Sequence, residues 1–186
     1  PPVRRPPQHH LALPVVALGL CAALLAGCGG SSAGDPSTTT SPTSAAPVAT
    51  ASGPIPTVEG DFGVTPTVTI PDEDPADALV TKTVITGTGP VVQAGDLLVV
   101  QYLGETWDDG NVFDSSYERG SPTAFPIGVG QVIQGWDTAL VGQTVGSRVV
   151  MAVPPSLGYG EAGNPDAKIS GDDTLVFVVD ILGTYP

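Results

Sequence analysis

The pattern of apolar and polar positions divides the chain into three parts. Residues 11–26 are almost wholly apolar, whereas serine, threonine, alanine and proline dominate residues 29–57. From Val58 onward, short stretches rich in valine, isoleucine and threonine alternate with turns that contain glycine or proline, a pattern typical of β-strands. The stretches predict strands over residues 64–70, 79–85, 97–104, 146–153 and 173–182. Residues 108–111, Asp-Asp-Gly-Asn, predict a hairpin turn.

One segment has helical spacing instead. Ile133, Trp136 and Leu140 share one face of a helix, and Gly142 follows where that helix would end. We therefore expect an α+β fold in which an antiparallel sheet of five to six strands wraps around one short helix. The folded domain is expected over residues 79–186. Residues 58–78 form an extended lead-in, which is either an edge strand or further linker.

The apolar run near the N-terminus predicts an export signal. It follows Arg4 and Arg5, and it is shorter than the roughly 20 residues of a membrane span but suits the apolar core of a signal peptide. It ends in Leu-Ala-Gly-Cys at residues 25–28, which resembles the lipobox of bacterial lipoproteins. This resemblance implies that residues 1–27 are a signal peptide and that Cys28 carries a lipid. An ordinary signal peptide with a chance cysteine is the alternative.

Residues 28–57 are then expected to form a disordered tether that starts at the lipidated Cys28. Their composition buries too little apolar surface to offset the entropy lost on ordering. The chain is therefore expected to lie outside the cytoplasm, held to the cell membrane by its lipid.

Charge and composition exclude several kinds of partner and catalytic site for the domain. The formal net charge is -13, with six basic residues in all, which argues against nucleic acid as a partner. Both histidines and both cysteines lie at or before residue 28. The following residues therefore offer neither a Ser-His-Asp triad nor a His or Cys ligand for zinc. We expect no metal and no cofactor.

Aromatic residues make up only 5% of the chain, and most of them fall between residues 102 and 177. Five of them lie in separate blocks, one in each: VVQYLG (99–104), DGNVFDSS (109–116), VIQGWD (132–137), LGYG (157–160) and LVFVVD (175–180). In this order the blocks resemble the FKBP-type peptidyl-prolyl cis–trans isomerases over about residues 79–184. The resemblance implies an enzyme that isomerises X–Pro bonds in polypeptides and that macrolides inhibit. We expect it to be a monomer that assists the folding of exported proteins.

The resemblance also implies a role for individual residues. Trp136 would be the floor of a proline pocket, with Tyr102, Phe113 and Phe177 as its walls. Val132 and Ile133 would line one rim, and the Ile133 N–H and the Tyr159 hydroxyl would bind the substrate backbone. Asp114 would lie near the twisting carbonyl, in polar contact with Tyr102 or Arg119. The remaining residues that would contact substrate are Arg119, Phe125 and, in a flap over the pocket, Ile169.

Simpler interpretations of these residues stay open. Trp136, Tyr102 and Phe177 could be ordinary core residues, and Asp114 could cap a turn. The domain could also bind proline-containing segments without turnover, or serve as an adaptor lipoprotein of the cell envelope. Two departures from the family, Thr123 in place of an aromatic residue and Lys168 in the acidic flap, predict a more open pocket edge and altered ligand preference.

Overall fold

The structure is a computed structural model that describes residues 51–186; the predicted signal peptide, lipobox and most of the tether lie outside these residues. Its elements are β1 (Thr57–Glu59), β2 (Thr67–Thr69), β3 (Val80–Ile85), β4 (Leu97–Thr106), β5 (Val112–Ser115), β6 (Thr123–Pro126), α1 (Gln134–Leu140), β7 (Arg148–Val153) and β8 (Leu175–Tyr185). Three short 3₁₀ helices lie between β7 and β8: Pro155–Leu157, Gly160–Ala162 and Pro165–Ala167.

Six strands form one antiparallel sheet in the order β3-β7-β8-β4-β5, and β6 also pairs with β4. The longest ladder joins β4 to β8, from Leu97 opposite Tyr185 to Thr106 opposite Leu175. The helix packs against one face of this sheet. The predicted α+β fold, a six-stranded antiparallel sheet with one short helix, is thus confirmed.

The sheet has two apolar faces, because its central strands are buried on both sides. Every residue of β7 is buried, as expected for a strand that is covered on both faces. Met151 of β7, Phe177 of β8 and Leu140 of the helix share the main core. Ala152 and Val176 face the other way, into a second cluster that also contains Trp107. The second face therefore needs a cover of its own.

The segment before β3 supplies that cover. Ile55, Val68 and Ile70 pack against the second cluster, and the Trp107 Nε1–H donates to the Glu73 carbonyl at 3.0 Å. Within residues 51–186, strands β1 and β2 pair only with each other, so residues 57–69 form a separate hairpin and add no edge strand to the main sheet.

The composition assigned residues 51–57 to the tether, but the structure packs part of this segment on the domain. Ala51 and Ile55 lie against the second cluster, and the Ala51 N–H donates to the Leu79 carbonyl at 3.3 Å. The physical reason is the apolar back of the sheet, which a short apolar segment can cover even when its composition is that of a linker. No helix within residues 51–186 has the length and apolar character needed to cross a membrane.

Candidate functional site

A cavity of about 550 Å³ opens on the helix side of the sheet. Strands β4, β5, β6 and β8 supply its walls, and the helix, the loop before it and the 3₁₀ segments supply the rest. The lining residues are Tyr102, Phe113, Asp114, Phe125, Gly130, Gln131, Val132, Ile133, Trp136, Tyr159, Asn164, Ala167 and Phe177. The volume lies within the range of about 300–1,000 Å³ that is usual for sites of small ligands.

Trp136 is the centre of the aromatic lining. Its ring is 4% exposed and stands edge to face with three others: Tyr102 at 5.2 Å, Phe177 at 5.4 Å and Phe125 at 5.6 Å between ring centroids. Phe113 meets Phe177 in the same way at 5.6 Å. Edge-to-face contact is a preferred geometry of aromatic pairs and adds about 0.5–1.5 kcal/mol to each beyond area burial. The rings therefore hold one another in place around the cavity.

Two glycines make this arrangement sterically feasible. A Cβ on Gly135 would lie 2.5 Å from Val153 Cγ1, so glycine allows the helix that carries Trp136 to pack closely against β7. A Cβ on Gly104 would lie 2.7 Å from the Phe113 ring and 2.9 Å from that of Phe177. Both glycines belong to the blocks that resembled the isomerase family, and their role is to make room for the aromatic rings.

A polar network closes one side of the cavity. The Tyr102 hydroxyl donates to Asp114, and Arg119 donates to the other Asp114 oxygen and, at 2.9 Å, to the Tyr102 hydroxyl. The Arg119 guanidinium also lies 5.4 Å from the Tyr102 ring centroid. Burial, together with the hydrogen bond to Asp114, raises the pKa of Tyr102 to about 12. The phenol therefore stays protonated and keeps its donor role throughout the physiological pH range.

The loop before the helix is tied to the helix by one carboxylate. Asp137 accepts hydrogen bonds from the Gly128 N–H at 2.6 Å and from the Gly130 N–H at 2.7 Å. This fixes the segment that carries Val132 and Ile133, both of which line the cavity. The Ile133 carbonyl accepts from the Trp136 N–H, whereas the Ile133 N–H has no acceptor among residues 51–186. It is a donor that remains available at the cavity.

The 3₁₀ region contributes residues that differ from the expected flap. Tyr159, 39% exposed, lines the cavity as the resemblance implied. Ile169 does not: it is 3% exposed and belongs to the main core, because its backbone pairs with that of Asn164 and turns its side chain inward. The flap residues at the cavity are Asn164 and Ala167.

Two of the residues singled out in the sequence lie beside the cavity and not in its lining. Arg119 does not line the cavity but bonds to Tyr102 and Asp114, which do. Thr123, the departure from the family pattern, also lies outside the lining, and its hydroxyl accepts a hydrogen bond from Arg119 at 3.3 Å. The lining residues that sequence reasoning missed are Gly130, Gln131, Asn164 and Ala167. Of these, only Asn164 carried a signal, since it precedes Pro165 as turn-forming asparagines often do.

Comparisons with known proteins agree with this geometry. Residues 89–182 match the family described as FKBP-type peptidyl-prolyl cis-trans isomerase. An FK506-binding protein of Streptomyces anulatus is 41% identical over 117 residues, which span 63% of this chain and 94% of that protein. A peptidyl-prolyl cis-trans isomerase of Arabidopsis thaliana, FKBP15-1, is 48% identical over 88 residues, 47% of this chain and 56% of that protein.

A solved structure shows the same similarity in three dimensions. The crystal structure of AtFKBP13 superposes with a TM-score of 0.52 at 34% sequence identity, covering 56% of this chain and 91% of that one.

Proposed function

Since the chain belongs to the family of FKBP-type peptidyl-prolyl cis–trans isomerases, we propose that it isomerises X–Pro bonds of exported proteins. The observation that carries the proposal is the aromatic cavity floored by Trp136, with a free backbone donor at Ile133 on its rim. An apolar floor suits the proline ring, and the donor suits a carbonyl of the substrate backbone. The proposed substrates are polypeptides that carry proline in an accessible segment.

The proposed mechanism needs no nucleophile. Rotation about an X–Pro bond loses amide resonance, which sets a barrier of about 18–20 kcal/mol, and takes tens to hundreds of seconds unaided. In the twisted state the carbonyl carries less charge separation than in the planar amide. An apolar cavity therefore stabilises the twisted state relative to the planar one, and catalysis is differential binding of that state.

The polar network orients the substrate in this scheme. Tyr102 donates to Asp114, so Asp114 is held at the cavity wall, and we propose that it meets the twisting bond there. The Tyr159 hydroxyl has the exposure needed to reach the backbone of a bound segment. These residues position and hold the substrate, while the rotation itself makes and breaks no covalent bond.

The activity is tested by proline-limited refolding of a reporter protein in the presence of the full chain. Acceleration is expected from the parent, and Trp136→Leu should reduce it about tenfold because the cavity loses its floor. Trp107→Phe is the matched control: Trp107 lies on the opposite face of the sheet, so the rate should hold below its unfolding temperature. No acceleration by the folded parent would refute the proposal; retained binding of the reporter would then favour a binding module.

A capture experiment distinguishes the isomerase from an adaptor lipoprotein. Phe113 lines the cavity, so Phe113→Ala should weaken capture of a proline-containing protein if the cavity binds it. Capture that depends on the acidic surface and is unchanged by Phe113→Ala would favour an adaptor.

Macrolides are proposed as ligands of the same cavity. The Streptomyces relative is named for binding FK506, and the aromatic lining here is of a kind that accepts a large apolar ligand. FK506 should quench or shift the fluorescence of Trp136 and inhibit the refolding activity. Inhibition that leaves Trp136→Leu and the parent equally sensitive would show that the drug binds elsewhere.

We further propose that the protein acts at the extracytoplasmic face of a membrane, as a monomer anchored by lipid on Cys28. The support is the Leu-Ala-Gly-Cys sequence at residues 25–28 after an apolar run. A diacyl anchor binds membranes firmly, whereas a single chain binds only marginally. Metabolic labelling with palmitate should label the parent and not Cys28→Ser, which should leave the membrane fraction. A parent without label would contradict the anchor and leave the isomerase proposal intact.

A further inference from the structure

A buried ion pair lies on the face of the sheet away from the cavity. Arg148 of β7 and Asp180 of β8 are register partners, and neither side chain is exposed. The contact is bidentate, with Nε to Oδ1 at 2.6 Å and Nη2 to Oδ2 at 2.7 Å. Burial acts to lower the pKa of Arg148, but the hydrogen bonds and charge of Asp180 raise it, so the guanidinium stays charged. Desolvating two charges is costly, and such pairs are often no more stabilising than apolar residues.

The N-terminal hairpin completes the hydrogen bonding of this pair. The carbonyls of Gly60 and Val64 accept from Arg148 Nη1 and Nη2 at 2.9 and 2.8 Å. The Gly63 N–H donates to Asp180 Oδ2 at 2.6 Å. The loop between β1 and β2 therefore covers the pair and supplies partners that water would otherwise provide, as a buried charge requires.

One further group reaches the same carboxylate, and it comes from the segment that follows β5. The Tyr117 hydroxyl donates to Asp180 Oδ2 at 2.8 Å, and burial together with that bond raises the pKa of Tyr117. In the chain, Tyr117 stands between Asp114 and Arg119, the two partners of Tyr102 at the cavity. The loop that forms the polar side of the cavity is thus fastened at its middle to the buried pair.

This attachment adds to the backbone pairing of Asp114 with Gly104 and to the bond of the Ser116 N–H to the Tyr102 carbonyl, because the side chains at the cavity end are exposed. The side chains of Asp114 and Arg119 are 41% and 45% exposed, and an exposed ion pair on its own contributes little to holding a loop. A hydrogen bond to a buried carboxylate is stronger, since the charge is not screened by water. The Tyr117 bond is therefore the contact that joins this segment to a fully buried charge, beside the backbone bonds that fix its course.

We propose that Tyr117 is a positioning residue of the isomerase: its bond to the hairpin-covered Arg148–Asp180 pair holds Asp114 and Arg119 against Tyr102. The proposal rests on the proposed isomerase function. It gives the buried pair a role beyond stability, and it makes the N-terminal hairpin part of the apparatus that shapes the cavity.

The test is a double-mutant cycle in the full chain, with kcat/KM for an X–Pro peptide as the readout. Tyr117→Phe removes only the hydroxyl and should lower kcat/KM about three- to tenfold, as expected for the loss of one hydrogen bond to a charged group. In an Arg119→Ala background, where the loop has already lost its tie to Tyr102, the same change should cost less than about twofold. Tyr185→Phe is the matched control, since Tyr185 is 58% exposed and far from the pair in the sheet.

A purely structural role predicts different results. It would lower the unfolding temperature of Tyr117→Phe but leave kcat/KM of the folded enzyme unchanged, or would give equal losses in both backgrounds; either result overturns the proposal. The Arg119 Nε–H resonance in NMR gives a readout besides activity: it should shift in Tyr117→Phe and not in Tyr185→Phe. If the parent proves inactive, the isomerase function fails, and this resonance alone decides whether Tyr117 positions the loop.

Should Tyr117→Phe fail to fold, Tyr117→His takes its place in the cycle. Its ring is too short to reach Asp180, so the same losses are expected, and additive losses would again overturn the proposal.

Discussion

Gly104→Ala is expected to damage the cavity by pushing its aromatic wall inward. The new Cβ would lie 2.7 Å from Phe113 Cε2 and 2.9 Å from Phe177 Cε1, whereas ordinary contact begins at 3.4 Å. The Phe113 ring must therefore shift, and a shift of about 0.7 Å would restore ordinary contact. Overpacking of this kind costs about 1–3 kcal/mol, partly offset by about 0.5–1 kcal/mol because alanine has less freedom than glycine in the unfolded chain. We expect a net loss of about 1–2 kcal/mol in the free energy of unfolding.

The effect on activity should exceed the effect on stability. A displacement approaching 1 Å at a reacting site can cost on the order of a hundredfold in rate, so kcat/KM of folded Gly104→Ala should fall about ten- to a hundredfold. The assays are X–Pro peptide isomerisation and urea unfolding. Gly183→Ala is the matched control, because the nearest atoms to its Cβ belong to the exposed Tyr185 side chain, the first of them at 3.3 Å. A Gly104→Ala protein with parental kcat/KM would refute the packing of Phe113 on Gly104.

Three further changes test other parts of the structure. Glu105 is 7% exposed and shares its surroundings with Asp72, Asp108 and Asp109 but no cation, and burial raises its pKa from 4.5 to about 7. The protonated Glu105 contributes fully to stability below about pH 4.5, and this contribution is lost as the pH rises through about 7. The free energy of unfolding of the parent should therefore fall by about 2 kcal/mol between about pH 5.5 and 8, relative to Glu105→Gln. Urea unfolding with the same pH dependence in both proteins would contradict this. Asp137→Ala frees the Gly128 and Gly130 N–H groups and should lower kcat/KM about tenfold. Asp77→Ala is the control, because Asp77 is an exposed carboxylate before β3. A parental kcat/KM in Asp137→Ala would show that the loop does not need this tie. Ile55→Ala should lower the free energy of unfolding by about 1–2 kcal/mol because Ile55 covers the back of the sheet. A change near zero would show that residues 51–57 belong to the tether and do not stabilise the domain.

The sequence predicted those parts of the fold whose signal is local. The strand around Tyr102 and the helix around Trp136 begin within one residue of their predicted starts, because alternation and helical spacing report burial directly. The segment with β6 was missed because four residues with a proline are too short to show alternation. The sequence did not predict that the hairpin before β3 covers the sheet. The apolar surface that it covers belongs to strands far away in the chain, so no local pattern in residues 57–69 reports it.

The same division holds for the site. Tyr102, Phe113, Trp136 and Phe177 meet in one cavity, and the blocks that carry them resembled a known family. Asn164 and Ala167 lie in irregular 3₁₀ segments whose side-chain directions no periodicity encodes, and for the same reason Ile169 was expected at the cavity. The Arg148–Asp180 pair has no local signal, since the two residues meet only through the register of β7 on β8.

The central claim is that the Trp136 cavity itself accelerates rotation about a prolyl bond. Magnetisation exchange between the cis and trans signals of a short X–Pro peptide measures that rotation at equilibrium and separates turnover from binding. A few per cent of the full chain should bring the exchange into the range of seconds, and FK506 in excess over the protein should abolish it. Peptide signals that broaden or shift on binding while the cis–trans exchange stays at its unaided rate would contradict the claim.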